Sequence, residues 1–138
     1  MRSTPADPGP RPCPRLARAA LLGMVLLAAA AGAYAQSVRL LVQSSPLAGF
    51  QFHAGPDLWA QLQVGDRLEL VREPANPHDP NAVRVDWRGH KLGYLPRREN
   101  ALVAEQMDRG ARVEARIAKL TSAADPWARL QIDVLLVL

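Results

Sequence analysis

The stretch Arg72-Glu73-Pro74-Ala75-Asn76-Pro77-His78-Asp79-Pro80-Asn81-Ala82-Val83 concentrates the unusual chemistry of this chain. Pro74, Pro77 and Pro80 each fix φ, and each biases the residue before it towards an extended conformation. A loop restrained in this way is stiff, so its side chains lose little entropy when they meet a ligand. The density of polar side chains predicts a binding loop rather than a simple connection. These side chains are Asn76, His78, Asp79 and Asn81.

Apolar and polar residues alternate on both sides of this loop, which predicts strands. Residues 66–72 form the predicted strand before it, and residues 83–88 and 90–95 form a predicted hairpin after it, with Gly89 supplying the positive φ of the turn. Further strands are predicted at residues 38–42, where Ser44-Ser45-Pro46 ends the strand, and at residues 50–53, 113–117 and 130–136.

One main helix is predicted over residues 97–109, because apolar residues recur there at helical spacing and Gly110 follows as a stop signal. The pattern as a whole predicts a mainly β fold of the α+β type. Its expected form is a small, partly open, OB-like β-barrel of about six strands with one main helix.

The first 35 residues have the composition of a targeting segment. An apolar run at residues 19–32 follows a basic, proline-rich opening, and Ala33-Tyr34-Ala35 fits the small-x-small pattern of a signal-peptidase site. The run is shorter than the roughly 20 residues that a membrane-spanning helix needs. We therefore predict that residues 1–35 are a signal peptide and that residues 36–138 form the domain, which would be periplasmic or secreted. An uncleaved N-terminal membrane anchor is the alternative, and only then would the protein have a membrane partner.

Charge and cysteine content limit what the domain can bind. The formal net charge of the whole chain is +4, but four arginines in the first 35 residues supply most of it, and residues 36–138 are nearly neutral. Any anion site in the domain must therefore be local. The single cysteine, Cys13, precedes the domain, so residues 36–138 contain neither an internal disulfide nor a thiolate metal site.

From about residue 38 to residue 138 the chain resembles the HIRAN domain, a module of helicase-like chromatin remodellers. The resemblance rests on residues 49–55, on residues 70–83 and on residues 91–96. The middle block is the most specific, with Arg-(Asp/Glu)-Pro followed by Asn-Pro-(aromatic)-Asp-x-Asn-Ala. The resemblance implies a modified oligonucleotide-binding barrel that grips the 3′ end of single-stranded DNA.

Carried over residue by residue, the resemblance implies roles for seven positions. Phe52 and His78 would stack on bases, and Asp79 would accept a hydrogen bond from the terminal hydroxyl. Asn76 would fix the loop or the terminal nucleotide. The remaining three act at the edge of the pocket: Tyr94 and Arg97 would face phosphates, and Trp127 would close the pocket.

Two departures from the family pattern predict weak binding. His78 stands where the family most often has tyrosine, and Gln51 stands where DNA-gripping members carry a basic residue. Stacking tolerates any sequence and contributes roughly 1 to 3 kcal/mol per base. With few cations nearby, we expect micromolar or weaker affinity and a shallow salt dependence.

The residues leave three alternatives open. A metal site could use His53, His78, His90 and Asp79, but their spacing matches no compact metal motif, so no metal and no cofactor are predicted. A His78–Asp79 acid–base pair is disfavoured because adjacent side chains on an extended segment point apart, so no enzyme is predicted. In the family, hydrolase activity would belong to fused helicase domains. The third alternative is an exported interaction module that binds an envelope partner protein or another non-nucleic-acid ligand.

Overall fold

Residues 9–10 and 36–138 are the part of the chain that the computed structural model describes. The predicted signal peptide or anchor, residues 1–35, lies almost entirely outside the described residues. No helix within the described residues is long and apolar enough to span a membrane.

Six strands form a single sheet in which all neighbouring strands are antiparallel. They are β1 (Arg39–Pro46), β2 (Arg67–Arg72), β3 (Val83–Trp87), β4 (His90–Tyr94), β5 (Arg112–Leu120) and β6 (Leu130–Val137). Within the described residues, three α-helices accompany them: α1 (Gly55–Leu58), α2 (Ala101–Asp108) and α3 (Pro126–Arg129). Two short 3-10 helices cover Phe50–Phe52 and Trp59–Gln61. The strand order is β1-β6-β5-β2-β3-β4. The prediction of a mainly β, OB-like fold of about six strands with one main helix is confirmed.

The sheet is open, with β1 and β4 as its two edges. One isolated bridge joins them: Ala48, just after β1, and Tyr94 of β4 exchange two backbone hydrogen bonds of 2.9 Å. Gly93 makes this approach possible, because a Cβ at that position would lie 2.3 Å from the carbonyl oxygen of Ala48. The barrel is thus partly open, as expected.

The strands that flank the proline loop were predicted well. The two-residue turn of the β3–β4 hairpin has positive φ at both Arg88 (48°) and Gly89 (81°), which matches the twist of the flanking strands. The side chains of Val83, Val85 and Leu92 point into a continuous apolar core. The two ends of the domain also meet, since the N–H of Leu138 donates a 2.9 Å hydrogen bond to the carbonyl of Val38.

The prediction that Ser44-Ser45-Pro46 ends the first strand was wrong, because β1 continues through Pro46. Pro46 lies opposite Gln131 of β6. Proline is tolerated there because β1 is an edge strand and pairs with β6 alone. Ser45 is buried in this strand, where its hydroxyl accepts a hydrogen bond from the Gln43 side chain.

The strand predicted at residues 50–53 was also wrong, since Phe50–Phe52 is a 3-10 turn. Gly49 has φ of 76°, and its carbonyl accepts from the N–H of Phe52, which turns the chain. Phe50 is completely buried and its ring meets Trp59 edge-on at 5.9 Å. In this turn the ring packs against Gly55, where an added Cβ would lie 2.3 Å from a ring carbon of Phe50.

The helix predicted over residues 97–109 begins later, at Ala101. After Pro96 the chain makes a separate turn, in which the N–H of Glu99 donates to the Pro96 carbonyl at 2.9 Å. Arg97 and Arg98 therefore precede α2 and do not lie in its first turn. The predicted end is close, with Gly110 at φ of 81° just beyond the helix.

Candidate nucleic-acid interface

A cleft of about 420 Å³ lies between the proline loop and the edge strand β4. Five of the seven predicted site residues line it together: Asn76, His78, Asp79, Tyr94 and Arg97. The remaining lining residues are Ala48, Ala82, Lys91 and Leu95. The cleft is thus placed where the Ala48–Tyr94 bridge nearly closes the sheet.

The proline loop is held by its own polar side chains. The side-chain oxygen of Asn76 accepts from the N–H of His78, and Oδ1 of Asp79 accepts from the N–H of Asn81, each at 2.9 Å. Such two-residue side-chain turns fix the backbone without help from a sheet. They leave the His78 ring exposed to solvent, where it is accessible to a ligand in the cleft.

Asp79 is also attached to the residue before α2. Nδ2 of Asn100 donates a 2.7 Å hydrogen bond to Oδ2 of Asp79. Asn100 is only 1% exposed, and its Oδ1 has no hydrogen-bond partner among the residues described. The amide orientation is the favourable one, because the reverse orientation would place two oxygens against each other. Asn100 thereby positions the loop, a role that no sequence pattern indicated.

Glu73 is the centre of a hydrogen-bond network behind the cleft. Its Oε2 accepts from the hydroxyl of Tyr94 at 3.0 Å and from Nδ2 of Asn76 at 3.1 Å, while Oε1 accepts from Arg84 at 3.1 Å. Partial burial alone would raise the pKa of Glu73, but these hydrogen bonds and the charges of Arg84 and Lys91 lower it. Glu73 is therefore a carboxylate that holds two of the predicted binding residues in place.

Arg84 connects Glu73 to the sheet. Its guanidinium makes a two-point contact with the largely buried Asp86, from Nε to Oδ1 at 2.9 Å and from Nη2 to Oδ2 at 3.0 Å. These hydrogen bonds, and then the charges of Asp86 and Glu73, raise the pKa of Arg84 despite the opposing effect of burial. The positive charge of Arg84 is thus paired with the carboxylates of Glu73 and Asp86 and does not face the cleft as a free charge.

Lys91 is a site residue that the sequence analysis missed. Its Nζ donates to the hydroxyl of Tyr94 at 2.7 Å and lies 4.4 Å from the centre of the Tyr94 ring. The His53 ring packs edge-on against the same tyrosine, at 6.0 Å between ring centres. Burial, followed by the charge of Lys91, lowers the pKa of His53. Tyr94 is therefore held from both sides.

A β-bulge explains why Lys91 reaches the cleft. In the β3–β4 ladder, Asp86 pairs with Lys91 and Val85 pairs with Gly93, so Leu92 is an extra residue in β4. Regular alternation would place Lys91 and Tyr94, three residues apart, on opposite faces of the strand. The extra residue brings both side chains to the cleft.

The structure does not bring Phe52 or Trp127 into this cleft. Phe52 is 78% exposed at the end of the 3-10 turn, and Trp127 is 46% exposed in α3. Neither side chain lines the cleft. Their predicted roles in stacking and in closing the pocket stay predictions.

The histidines and acids considered for a metal site are not gathered together. Among residues 9–10 and 36–138, no three His, Cys, Asp or Glu side chains lie close enough to one another to hold a metal ion. That the domain binds no metal remains a prediction.

The fold and the cleft define a small, open OB-like domain with a cleft lined by polar and apolar side chains at one edge. The sequence model of the HIRAN domain matches residues 40–138. The chain therefore belongs to the HIRAN family, whose domains are known as nucleic-acid-binding modules. This confirms the family resemblance stated from the sequence.

Part of the chain is also similar to a part of a much longer protein. The chain is 34% identical over 73 residues to the Fanconi-associated nuclease 1 homolog of Oryza sativa subsp. japonica, an alignment covering 50% of this chain and 7% of that protein. The chain thus corresponds to a small part of that relative.

Two solved structures share the fold. A crystal structure of a protein from Lactobacillus plantarum superposes with a TM-score of 0.63 at 26% identity, covering 73% of this chain and 97% of that one. The crystal structure of the HIRAN domain of human HLTF superposes with a TM-score of 0.58 at 21% identity, covering 73% and 78% of the two chains.

Proposed function

We propose that residues 36–138 bind the 3′ end of single-stranded DNA and hold its terminal nucleotides in the cleft without catalysing a reaction. The observation that carries the proposal is the convergence of Asn76, His78, Asp79, Tyr94 and Arg97 on one cleft. The first three come from the proline loop, Tyr94 comes from β4 and Arg97 comes from the turn after Pro96, so the fold unites groups distant in sequence.

The size and preorganisation of the cleft support this proposal. A volume of about 420 Å³ falls within the range of small-molecule sites. The hydrogen bonds at Asn76 and Asp79 fix the loop before a ligand arrives, which reduces the entropy lost on binding. The exposed ring of His78 offers one stacking surface for a base.

The contacts of Asp79 support binding rather than acid–base chemistry. Its two oxygens accept from the N–H of Asn81 and from the side chain of Asn100, and neither contact involves the imidazole of His78. A catalytic His–Asp pair needs the carboxylate to orient the imidazole. Here the carboxylate orients the loop.

Competition between strand ends tests this function. Fluorescence anisotropy of the full-length chain with a linear, 5′-labelled single strand is expected to give micromolar affinity. An unlabelled linear strand of the same sequence should compete, whereas its circular form, which has no end, should compete far less. Equal competition by the circle would contradict recognition of an end, and no binding of either would contradict the function and favour a non-nucleic-acid partner.

We also propose export of the domain through residues 1–35, on the composition of that segment. Cell fractionation with mass spectrometry of the amino terminus would test it. A domain that begins at Gln36 in the periplasm or the medium is expected, and a full-length protein in the membrane fraction would support the anchored alternative. A full-length protein in the cytosol would contradict both.

A further inference from the structure

Exposed aliphatic side chains gather around the first half of β1. Of the nine large hydrophobic side chains that are exposed among the described residues, six lie on β1, beside it or on the facing helix α2. The N–H of Leu138 bonds to Val38, and Val42 and Leu102 line one apolar groove. An exposed patch of this kind marks a site of interaction. We call these six residues the β1 corner: Val38, Leu40, Leu41, Val42, Leu102 and Leu138.

The first half of β1 is apolar on both of its faces. Leu40 and Leu41 follow each other in the strand, so their side chains point to opposite faces, yet each is 52% exposed. Antiparallel strands that cover a core on one face normally carry polar side chains on the other. Burial within the domain therefore does not account for these two residues.

Arginines border the β1 corner. Arg39 of β1 and Arg112 of β5 both lie opposite Val137 of β6, so they occupy one row across three strands. The carboxylate of Glu114 accepts from Arg39 and from Arg112, each at 2.9 Å. Arg67 of β2 lies 3.9 Å from the same carboxylate. Three arginines thus share one acidic partner.

These arginines are more exposed than the acids they contact. A fourth arginine, Arg116, contacts Asp133 on the neighbouring strand. The four arginine side chains are 48% to 74% exposed, whereas those of Glu114 and Asp133 are 12% and 15% exposed. Two positive charges are therefore in excess, and a partner at this surface meets guanidinium groups first.

We infer that the β1 corner and its arginines dock onto the surface of an anionic phospholipid bilayer. Exposed guanidinium groups match lipid phosphates in charge and in geometry. The aliphatic side chains then enter the boundary between head groups and acyl chains. The cleft lies beyond the other end of β1, at Ala48 and β4, so docking does not depend on DNA binding there. The sequence predicted contact with a membrane only through an uncleaved segment 1–35, whereas this surface belongs to the folded domain.

Two other partners fit this surface less well. All six side chains of the β1 corner are aliphatic, so they offer no aromatic ring on which a base can stack. A second copy that paired with the free edge of β1 would meet the bulge at Val42, where the register with β6 shifts. Bulges protect edge strands against such pairing. A second copy would also bring two positively charged surfaces together.

Vesicle co-sedimentation of residues 36–138 tests this docking. These residues contain the hydrophobic core that the structure describes. The Lactobacillus plantarum structure consists almost wholly of the same fold, so such a domain folds on its own. Vesicles would contain phosphatidylcholine alone, or equal parts of phosphatidylcholine and phosphatidylglycerol. Binding to the anionic vesicles should be at least about tenfold tighter, because each excess charge near an anionic surface contributes about fivefold in affinity. High salt should weaken it.

Matched variants separate the charges from the apolar side chains. Arg112→Gln should weaken binding to anionic vesicles about fivefold, whereas Lys119→Gln, near the far end of the same strand, should retain more than half of the affinity. Leu41→Ser should also weaken binding about fivefold, and Leu102→Ser repeats this test on helix α2. Val64→Ser, which changes an exposed aliphatic side chain outside the β1 corner, should not. Urea denaturation would show that each variant is folded.

Equal binding to the two kinds of vesicle, or binding that Arg112→Gln leaves unchanged, would overturn the inference. Light scattering without lipid is expected to show a monomer. A dimer that Leu41→Ser dissociates would assign the β1 corner to a second copy instead. A single strand that displaces the domain from vesicles would assign the surface to nucleic acid. Loss of strand binding with vesicle binding intact would contradict the proposed function alone.

Discussion

Ala48 and Tyr94 are joined by two backbone hydrogen bonds of 2.9 Å, which tie the segment after β1 to the opposite edge of the sheet. Tyr94 also directs its hydroxyl to Glu73 and supports Lys91. The contact that nearly closes the sheet therefore also fixes one wall of the cleft, and stability and ligand binding should change together when it is disturbed.

Gly93→Ala should lower both the stability of the domain and its affinity for a single strand. The added Cβ would lie 2.3 Å from the backbone oxygen of Ala48, so the two segments must separate. We expect a loss of about 1 to 3 kcal/mol in the free energy of unfolding, typical of overpacking, together with weaker strand binding. Urea denaturation would measure the free energy of unfolding, and fluorescence anisotropy would measure strand binding. The control is Gly89→Asn in the hairpin turn, where no atom lies within 4 Å of a Cβ and asparagine tolerates positive φ. Wild-type stability of Gly93→Ala would contradict the close approach.

Glu73→Gln should alter how stability depends on pH. The pKa of Glu73 is lowered in the folded protein, so its carboxylate contributes stability above the unfolded-state pKa of about 4.3, and this contribution is lost as the pH falls through the folded-state value. We expect the variant to be about 1 kcal/mol less stable at pH 7 and to approach the wild type as the pH falls through the folded-state value. Denaturation curves across this range would show it, and a difference that is constant with pH would contradict the assignment.

Asn100→Asp should be more destabilising than Asn100→Ala at pH 7. The alanine variant leaves Oδ2 of Asp79 without its donor, at a cost of about 1 to 2 kcal/mol. The aspartate variant keeps the shape but places two carboxylates against each other. Its additional penalty should be absent well below pH 4 and should grow as the pH rises through the carboxyl range. The same order of stabilities at pH 3 and pH 7 would contradict a direct Asn100–Asp79 contact.

His78 should act as the stacking surface of the loop. His78→Ala is expected to weaken strand binding by about 1 to 2 kcal/mol, and His78→Tyr to strengthen it, because the larger ring covers more of a base. Phe52→Ala tests whether the exposed ring outside the cleft also takes part. Fluorescence anisotropy would measure the affinity of all three variants. Equal strand affinity of the two His78 variants and the wild type would show that the imidazole does not contact the bound strand.

The salt dependence of binding should be shallow. If Lys91 and Arg97 are the two cations that meet phosphates, the slope of log K against log salt should be about −1.4 for a single strand. Arg97→Gln should reduce the slope by about 0.7. Arg98→Gln is the matched control, because this neighbouring arginine is exposed but does not line the cleft. A much steeper slope would indicate a wider basic surface.

Alternation and turn chemistry were sufficient to predict the strands around the proline loop. The pattern at Val83, Val85 and Trp87 reads as a half-buried strand, and Gly89 marks its turn, because period-two burial and positive φ are local properties. Phe50 and Phe52 show the same alternation, but these residues do not form a strand. Packing of the Phe50 ring against Trp59 and Gly55 depends on contacts that no local pattern contains.

The candidate site was predicted where a motif specified it and missed where the sheet is irregular. Asn76, His78 and Asp79 lie in the specific motif of the proline loop and do line one cleft. Lys91 was missed because a bulge at Leu92 reverses the expected alternation of β4. Asn100 was missed because it was expected within a helix that in fact begins at Ala101. The first error concerns strand register, which is set by pairing with a strand distant in sequence, and the second concerns where a helix begins.

The hydrogen bond between Leu138 and Val38 places the entry and the exit of the folded unit side by side. A unit of this geometry can be inserted into a surface loop of a host protein without stretching either the host or itself. The same small domain can thus be carried by different host proteins with its cleft intact.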